Sequence, residues 1–294
     1  MKVRLLFVLL ALVFATSQST AQQKTNWKAV DDAMGRPGQD QPSGDHKYAM
    51  PRSDLKVTAN GVAIKAGFAL GSWADFSSMG SHTGVMGDLV LTEDEIGPVM
   101  QKLMDSGIEI TALHNHLLNE SPRVMYMHIH GRGDAVQLAS AIHAALALTK
   151  TPGPAPAPAT PPDLGFDAKQ IDSLLGYSGK NNNGIYQFAV PRGEKISDGG
   201  MPVPPSMGVA TAINFEPTGS GQAAITGDFV LIGKEVNPVI KALRQNGIAV
   251  TAVHSHMLDE QPRLFFMHFW ANDDAVKLAK GLRVALDQTN SSKL

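Results

Sequence analysis

Cysteine is absent from the 294-residue chain. That excludes disulfides, iron–sulfur clusters, thiolate zinc sites, cysteine nucleophiles and lipid attachment at a terminal cysteine. Any transition metal must then be held by histidine, carboxylate or, weakly, methionine. Basic charge is not in excess either: 25 Lys and Arg stand against 27 Asp and Glu, a formal net charge of −2. Nucleic-acid binding needs a basic patch that displaces counterions, so that class of partner is set aside. Aromatics make up only 6% of residues, which counts against stacking on a carbohydrate polymer. No nucleophile elbow, phosphate-binding loop, dinucleotide fingerprint or HExxH helix occurs.

Long apolar runs are missing as well, save one at the start. Lys2 and Arg4 precede an apolar run of eleven residues, Leu5 to Ala15, followed by Ser19-Thr20-Ala21. Eleven residues fall short of the ~20 that span a bilayer. Residues 1–21 therefore read as a cleaved secretory signal with Gln22 as mature start. The expected product is a soluble periplasmic or secreted protein without membrane attachment.

What is present is a chain written twice. Tyr48-Ala-Met-Pro-Arg52 returns as Phe188-Ala-Val-Pro-Arg192, and Gly87-Asp88-Leu-Val-Leu91 as Gly227-Asp228-Phe-Val-Leu231. Ile110-Thr-Ala-Leu-His-Asn-His116 returns as Val250-Thr-Ala-Val-His-Ser-His256, always 140 positions on. Between the copies, residues 151–162 hold six of the 18 prolines, a composition that favours extended polyproline II. The expected organisation is a repeat domain at 24–150, a Pro/Ala linker at 151–162 and a second repeat domain at 163–290. Within each copy the pattern reads ββαββα, an α+β unit with an antiparallel sheet and helices on one face. Ala66–Phe76, Val85–Leu91, Ile108–His116 and Val124–His130 are the expected strands. Pro98 and Pro238 suit first helical positions with Asn237 as an N-cap, Gly107 and Gly247 suit helix stops, and Asp134–Leu148 is the closing helix.

Histidines carry the chemistry. His82, His114, His116, His128 and His130 fall within one stretch of copy one, and copy two keeps His254, His256 and His268. On a strand, i and i+2 share a face, so His114 and His116 project together. A symmetric hairpin closed by Leu117–Arg123 would set His116 opposite His128 and His114 opposite His130, near enough to share an ion. Converging neutral imidazoles hold zinc or another borderline divalent cation, which polarises a carbonyl or acidifies a bound water. Glu120 could move a proton beside such an ion, and Arg123 could anchor an anionic substrate. His82, in a Gly-rich segment, could close over the site as a loop. Asp88 and Asp228, each after a glycine, read as turn residues first and ligands second. His46 and His143 read as structural.

The signal, the duplication and the motif T-A-[LV]-H-x-H-[LM]-L-[ND]-E-x-P-R, at 111–123 and 251–263, resemble the LppY/LpqO-like family of exported bacterial proteins. That resemblance implies a duplicated exported protein of undefined activity; lipoprotein namesakes carry a cysteine that this chain lacks. The His-x-His pair with a third His twelve residues later also resembles the zinc site of acetolactate decarboxylase-like domains, which implies zinc on His114, His116 and His128. The string from Gly107 to Glu120 approaches the first cupin motif with one extra residue, but the neighbouring helices do not suit a jelly roll. The expectation is a two-domain metalloprotein with one divalent site per domain, performing lyase or hydrolase chemistry on a small anionic substrate. The competing expectation is a non-catalytic binding module for metal or cell-envelope polymer, its two domains acting through avidity.

Overall fold

The computed structural model describes residues 25–80, 82–154 and 160–292. The expected signal and the middle of the Pro/Ala segment lie outside the described residues. Copy one runs α1 (Trp27–Met34), β1 (Gln39–Asp40), β2 (His46–Pro51), β3 (Thr58–Ala59), β4 (Val62–Ala63), α2 (Ala66–Ala69) and β5 (Gly71–Met79). It continues with β6 (His82–Thr92), α3 (Glu93–Asp105), β7 (Glu109–His114), β8 (Glu120–Ser121), β9 (Val124–Gly133) and α4 (Ala135–Leu146). Copy two runs α5 (Ala168–Leu175), β10 (Lys180–Asn182), β11 (Ile185–Pro191), β12 (Ile196–Asp198), β13 (Met201–Val203) and β14 (Ala210–Gly219). Then come β15 (Gln222–Ile232), α6 (Val236–Gln245), β16 (Ala249–His254), β17 (Glu260–Gln261), β18 (Leu264–Asp274) and α7 (Ala275–Leu286).

Each copy builds a six-stranded antiparallel sheet, in the orders β1-β2-β5-β6-β9-β7 and β10-β11-β14-β15-β18-β16. The duplicated α+β architecture is thus as the sequence indicates, with extra strands added at one edge. Strand alternation assigns the two faces of each sheet. Val85, Leu89, Leu91, Met127 and Ile129 pack against the helices of copy one. Ile225, Phe229, Leu231, Met267 and Phe269 do the same in copy two. The alternate residues point the other way, toward the partner copy.

That second face is where the copies meet. The excursion between β2 and β5 reaches across: Phe68, Ile64 and Leu70 form one apolar cluster with Ile185, Ala224 and Trp270 of copy two. The equivalent excursion of copy two places Ile196, Met201 and Met207 against Met86, with Trp73 and Met79 alongside. Each copy therefore lays an arm over the other's sheet, and the result is two helix layers outside two facing sheets. The arms also carry short sheets of order β4-β3-β8 and β13-β12-β17.

The repeated motif ending in Arg52 and Arg192 has a structural use. Arg52 is fully buried and donates to Glu95 at 2.7 and 3.0 Å, to Val90 O at 2.8 Å and to Asp54 at 2.9 Å. Glu95 also accepts from Thr92 N at 3.0 Å, capping α3. Arg192, Glu194, Glu235 and Val230 repeat the arrangement.

Four local expectations are corrected. Ala66–Ala69 is a helical turn, because this stretch belongs to the crossing arm, and strand begins only at Gly71. Helix α3 starts at Glu93 under the Thr92–Glu95 capping box, which leaves Pro98 inside the helix. Asn237 likewise lies within α6, since Glu235, tied to Arg192, takes the cap position. Asp88 and Asp228 are not turn residues but sit mid-strand in β6 and β15. Their glycine neighbours are needed for close approach: a Cβ at Gly87 would lie 2.7 Å from Trp73 O, and one at Gly227 1.9 Å from Ala212 O. Gly107 and Gly247 do end their helices, at φ 77 and 75.

Arg52→Met is expected to destabilise the protein by about 3–5 kcal/mol, because it strands Glu95 as a buried unpaired carboxylate. Urea unfolding checks this, and Arg52→Met/Glu95→Gln should cost less than the two single losses added together.

Candidate metal centre

The histidine motif sits where a strand leaves its ladder. Strand β7 pairs with β9 so that His114 faces Tyr126 and Ala112 faces His128, with a bulge between Ile110 and Ala112. The symmetric-hairpin register, with His116 opposite His128 and His114 opposite His130, is therefore wrong by four positions. The segment after His114 is not a tight turn: β8 departs to pair with β3 of the arm, Ala59 with Glu120 and Thr58 with Ser121. His116 follows the end of β7 and stacks on Tyr126 with ring centroids 3.3 Å apart. His256 stacks on Phe266 at 3.4 Å.

The shortest imidazole contacts run between the copies. His114 stacks on His254 at 3.5 Å, His128 on His256 at 3.7 Å, and His116 lies 3.8 Å from His268. Within copy one, His114 is 5.1 Å from both His116 and His128. The expectation of one site per domain gives way to a single centre, across which the copies are related by an approximate two-fold. Ligand atoms of His114, His254, His256 and His268 lie within 4.8 Å of one another, so this cluster could hold a metal ion. Three of its four members come from copy two.

The nitrogens are arranged as metal ligands usually are. Among the described residues, Nε2 of His114, His116, His128, His254, His256 and His268 is buried without a hydrogen-bond partner. Nδ1 of His268 lies 2.8 Å from Gly227 O, and Nδ1 of His114 and His254 lie 3.2 and 3.3 Å from backbone carbonyls. A carbonyl at Nδ1 holds the proton there and leaves Nε2 as a bare lone pair. Asp88 Oδ2 is 3.7 Å from His116 Nε2 and 3.8 Å from His128 Nε2, and Asp228 Oδ2 is 3.2 Å from His256 Nε2.

A family model described as Domain of Unknown Function (DUF1259) matches residues 28–148 and again 169–288. The chain belongs to that family. The two matches coincide with the two copies that meet at the histidines. No curated protein matches significantly. Among solved structures, a trimeric bacterial microcompartment shell protein, PduB, aligns at 12% identity over 85% of this chain and 92% of that one. Its TM-score of 0.23 is too low to carry an argument.

In this DUF1259 chain the centre opens onto a cavity of about 880 Å³ between the copies, lined by Asp88, His116, His128, Asp228, His256 and His268 among others. Its wall is not symmetric. Lys47 lines it on the copy-one side, with Nζ 4.2 Å from the Trp73 ring centroid and 4.0 Å from buried Asp75. Copy two has Gln187, Ile213 and Phe215 at the positions of Lys47, Trp73 and Asp75. Lys47 and Asp75 give no sequence signal, since neither belongs to a motif. No helix among the described residues is long and apolar enough to cross a membrane.

The other expected site residues lie apart from the four-histidine group. His130 Nδ1 is 3.0 Å from Asp198 of copy two, and both line a second cavity of about 360 Å³. His82 is exposed at the start of β6, six residues from Asp88 and so about 20 Å along the strand. Glu120 is half-buried, accepts from Val124 N at 3.4 Å and leaves Oε2 unpartnered. Arg123 is exposed and lines neither cavity. Glu260, by contrast, is buried and tied to Leu264 N and Arg263. His46, between Asp31 and Asp40, and His143, on Met34 O, are structural.

Burial governs the ionisation of the centre. It lowers all six imidazoles, His254 and His268 to about 4 and His114 to about 2, and their mutual proximity lowers most of them further. Burial raises Asp88 to about 8, helped by the charge of Asp228, and raises Asp228 as well. Lowered histidines contribute stability that is present above their unfolded value of about 6.5 and lost as pH falls through the folded values. Raised carboxylates act oppositely, losing stability as pH rises from about 4 toward 8. With six histidines outweighing the carboxylates on the acid side, metal-free protein should be most stable near pH 6.5. Urea unfolding in a chelator across that range checks this, and Asp88→Asn should flatten the alkaline limb.

Proposed function

We propose that this DUF1259 chain is an exported metalloprotein whose two copies jointly hold a divalent ion, zinc by donor chemistry, at the floor of a ligand-sized cavity. The observation that carries this is that ligand nitrogens of four histidines from both copies lie within 4.8 Å of one another, with His116 and His128 stacked against two of them. Neutral imidazole nitrogens suit zinc and its borderline neighbours. A cavity of about 880 Å³ falls in the range that takes small molecules, and a purely structural zinc would have no need of one. The proposal keeps the likeness to acetolactate decarboxylase-like zinc domains at the level of ligand type, and the LppY/LpqO likeness as the basis for export to the periplasm or beyond.

The chemistry proposed is lyase or hydrolase action on a small anionic substrate. When bound, the ion would polarise a carbonyl or acidify water. Lys47 replaces Arg123 as anion anchor, because it lines the cavity and Arg123 does not. Glu120 lines neither cavity and is kept as proton carrier only through Tyr126, on which its charge acts and against which His116 stacks, with burial pushing its carboxyl up to about 7. Asp88, lining the cavity with its carboxyl raised to about 8, is a second base of suitable range. One observation favours the non-catalytic alternative, a metal-binding module: four nitrogens in one group would complete a tetrahedral sphere.

Zinc added to metal-free protein is expected to raise Tm, and His254→Ala/His268→Ala to diminish that rise. His114→Ala, in the other copy, should weaken zinc binding by about tenfold or more, because its ring belongs to the same group. A Tm indifferent to zinc would overturn the proposal. A cobalt-loaded protein whose visible spectrum shifts on adding a small carboxylate has an open position and supports catalysis; an unchanged spectrum favours the binding module.

A further inference from the structure

The four-nitrogen group does not use all the ligands at the centre. His116 and His128 remain, both with Nε2 buried and unpartnered, and Asp88 remains, with Oδ1 unpartnered. Asp88 Oδ2 lies 3.7 Å from one of these nitrogens and 3.8 Å from the other. Neither is a hydrogen bond, so the carboxylate and both nitrogens keep lone pairs free to meet a cation. The three side chains are nearly enclosed, at 18%, 5% and 7% exposure, yet all line the large cavity. They also abut the first group, since His116 lies against His268 and His128 stacks on His256.

Charge points the same way. Two carboxylates, buried Asp88 and half-buried Asp228, stand at the centre, and among the described residues no lysine or arginine pairs with either. Unpaired buried carboxylates are costly, and a cation beside each removes the cost. Asp228 stands against His256 and His268 of the first group, and Asp88 against His116 and His128. Asp228 meets Nε2 of His256 at 3.2 Å but Nδ1 of His268 at 3.9 Å, so the arrangement of one carboxylate facing two Nε2 atoms belongs to Asp88.

We infer that His116, His128 and Asp88 form a second divalent-cation site beside the first, so that the centre holds a pair of ions facing the cavity. The inference rests on the metal-binding proposal above. A pair of ions suits a ligand that offers oxygen to both, such as a carboxylate or phosphate group, and can hold attacking and leaving oxygens together. Asp88 is then a ligand, with Glu120 left to carry protons.

The test is native mass spectrometry of the full chain, stripped of metal and reloaded with cobalt(II). Wild type is expected to hold two ions, and Asp88→Asn, which keeps the volume, one. His116→Ala/His128→Ala should also hold one. Saturation of wild type at one ion, unaffected by Asp88→Asn, would overturn the second site and leave the first standing. Two ions in Asp88→Asn would overturn the ligand assignment, and none in wild type would remove both proposals. Should Asp88→Asn fail to fold, manganese-loaded wild type decides: spin-coupled resonances support the pair, and isolated-ion spectra alone overturn it.

Discussion

Six uncharged imidazoles stacked between two sheets are the constraint on which the rest of this molecule depends. Among the described residues the Nε2 of each is buried without a hydrogen-bond partner, and rings from both copies enclose one another. Enclosure needs the two sheets to face each other, which in turn requires every interface strand to be apolar on its helix side and specialised on the other. It also requires β5 and β14 to pass close to Gly87 and Gly227, which bring Asp88 and Asp228 into mid-strand positions. The crossing arms then cover the sheet area that the histidines leave, with Phe68 meeting Trp270 edge-on.

Symmetry at the centre and asymmetry at its walls divide the labour between the copies. The histidines pair across the approximate two-fold, so both copies contribute rings to one centre. Copy two, which has Trp270 in place of His130, supplies three of the four clustered ligands. The surroundings break the two-fold: Tyr126 against Phe266, Lys47 against Gln187 and Asp75 against Phe215. A duplicated chain can keep a two-fold centre while the cavity walls diverge, because both are encoded separately: copy one lines the cavity with Lys47, Phe68 and Trp73, and copy two with Lys180, Asn181, Asn182 and Gln187.

Several elements were legible in the sequence for definite physical reasons. The fixed offset of 140 positions exposed the duplication, because paired folds keep register only if every insertion is excluded. Alternating apolar residues in β6 and β9, and Gly107 and Gly247 at helix ends, gave the ββαββα order. The histidine motif marked the chemistry through i and i+2 spacing. The pairing of those histidines was not legible, since register depends on where β7 stops and β8 leaves for the arm. Pro98 and Asn237 misled for a similar reason: the caps of α3 and α6 are set by Arg52 and Arg192, which arrive from distant strands.

The sequence by itself determined the duplication, most of the central strands and the clustering of histidines, because repeat register, strand alternation and i, i+2 spacing are local properties. Tertiary structure alone decided that there is one centre rather than two, that His130 and His82 stand away from it, and that Lys47 lines its cavity. Each of those depends on two sheets meeting face to face, a contact between residues more than a hundred positions apart that no local pattern records.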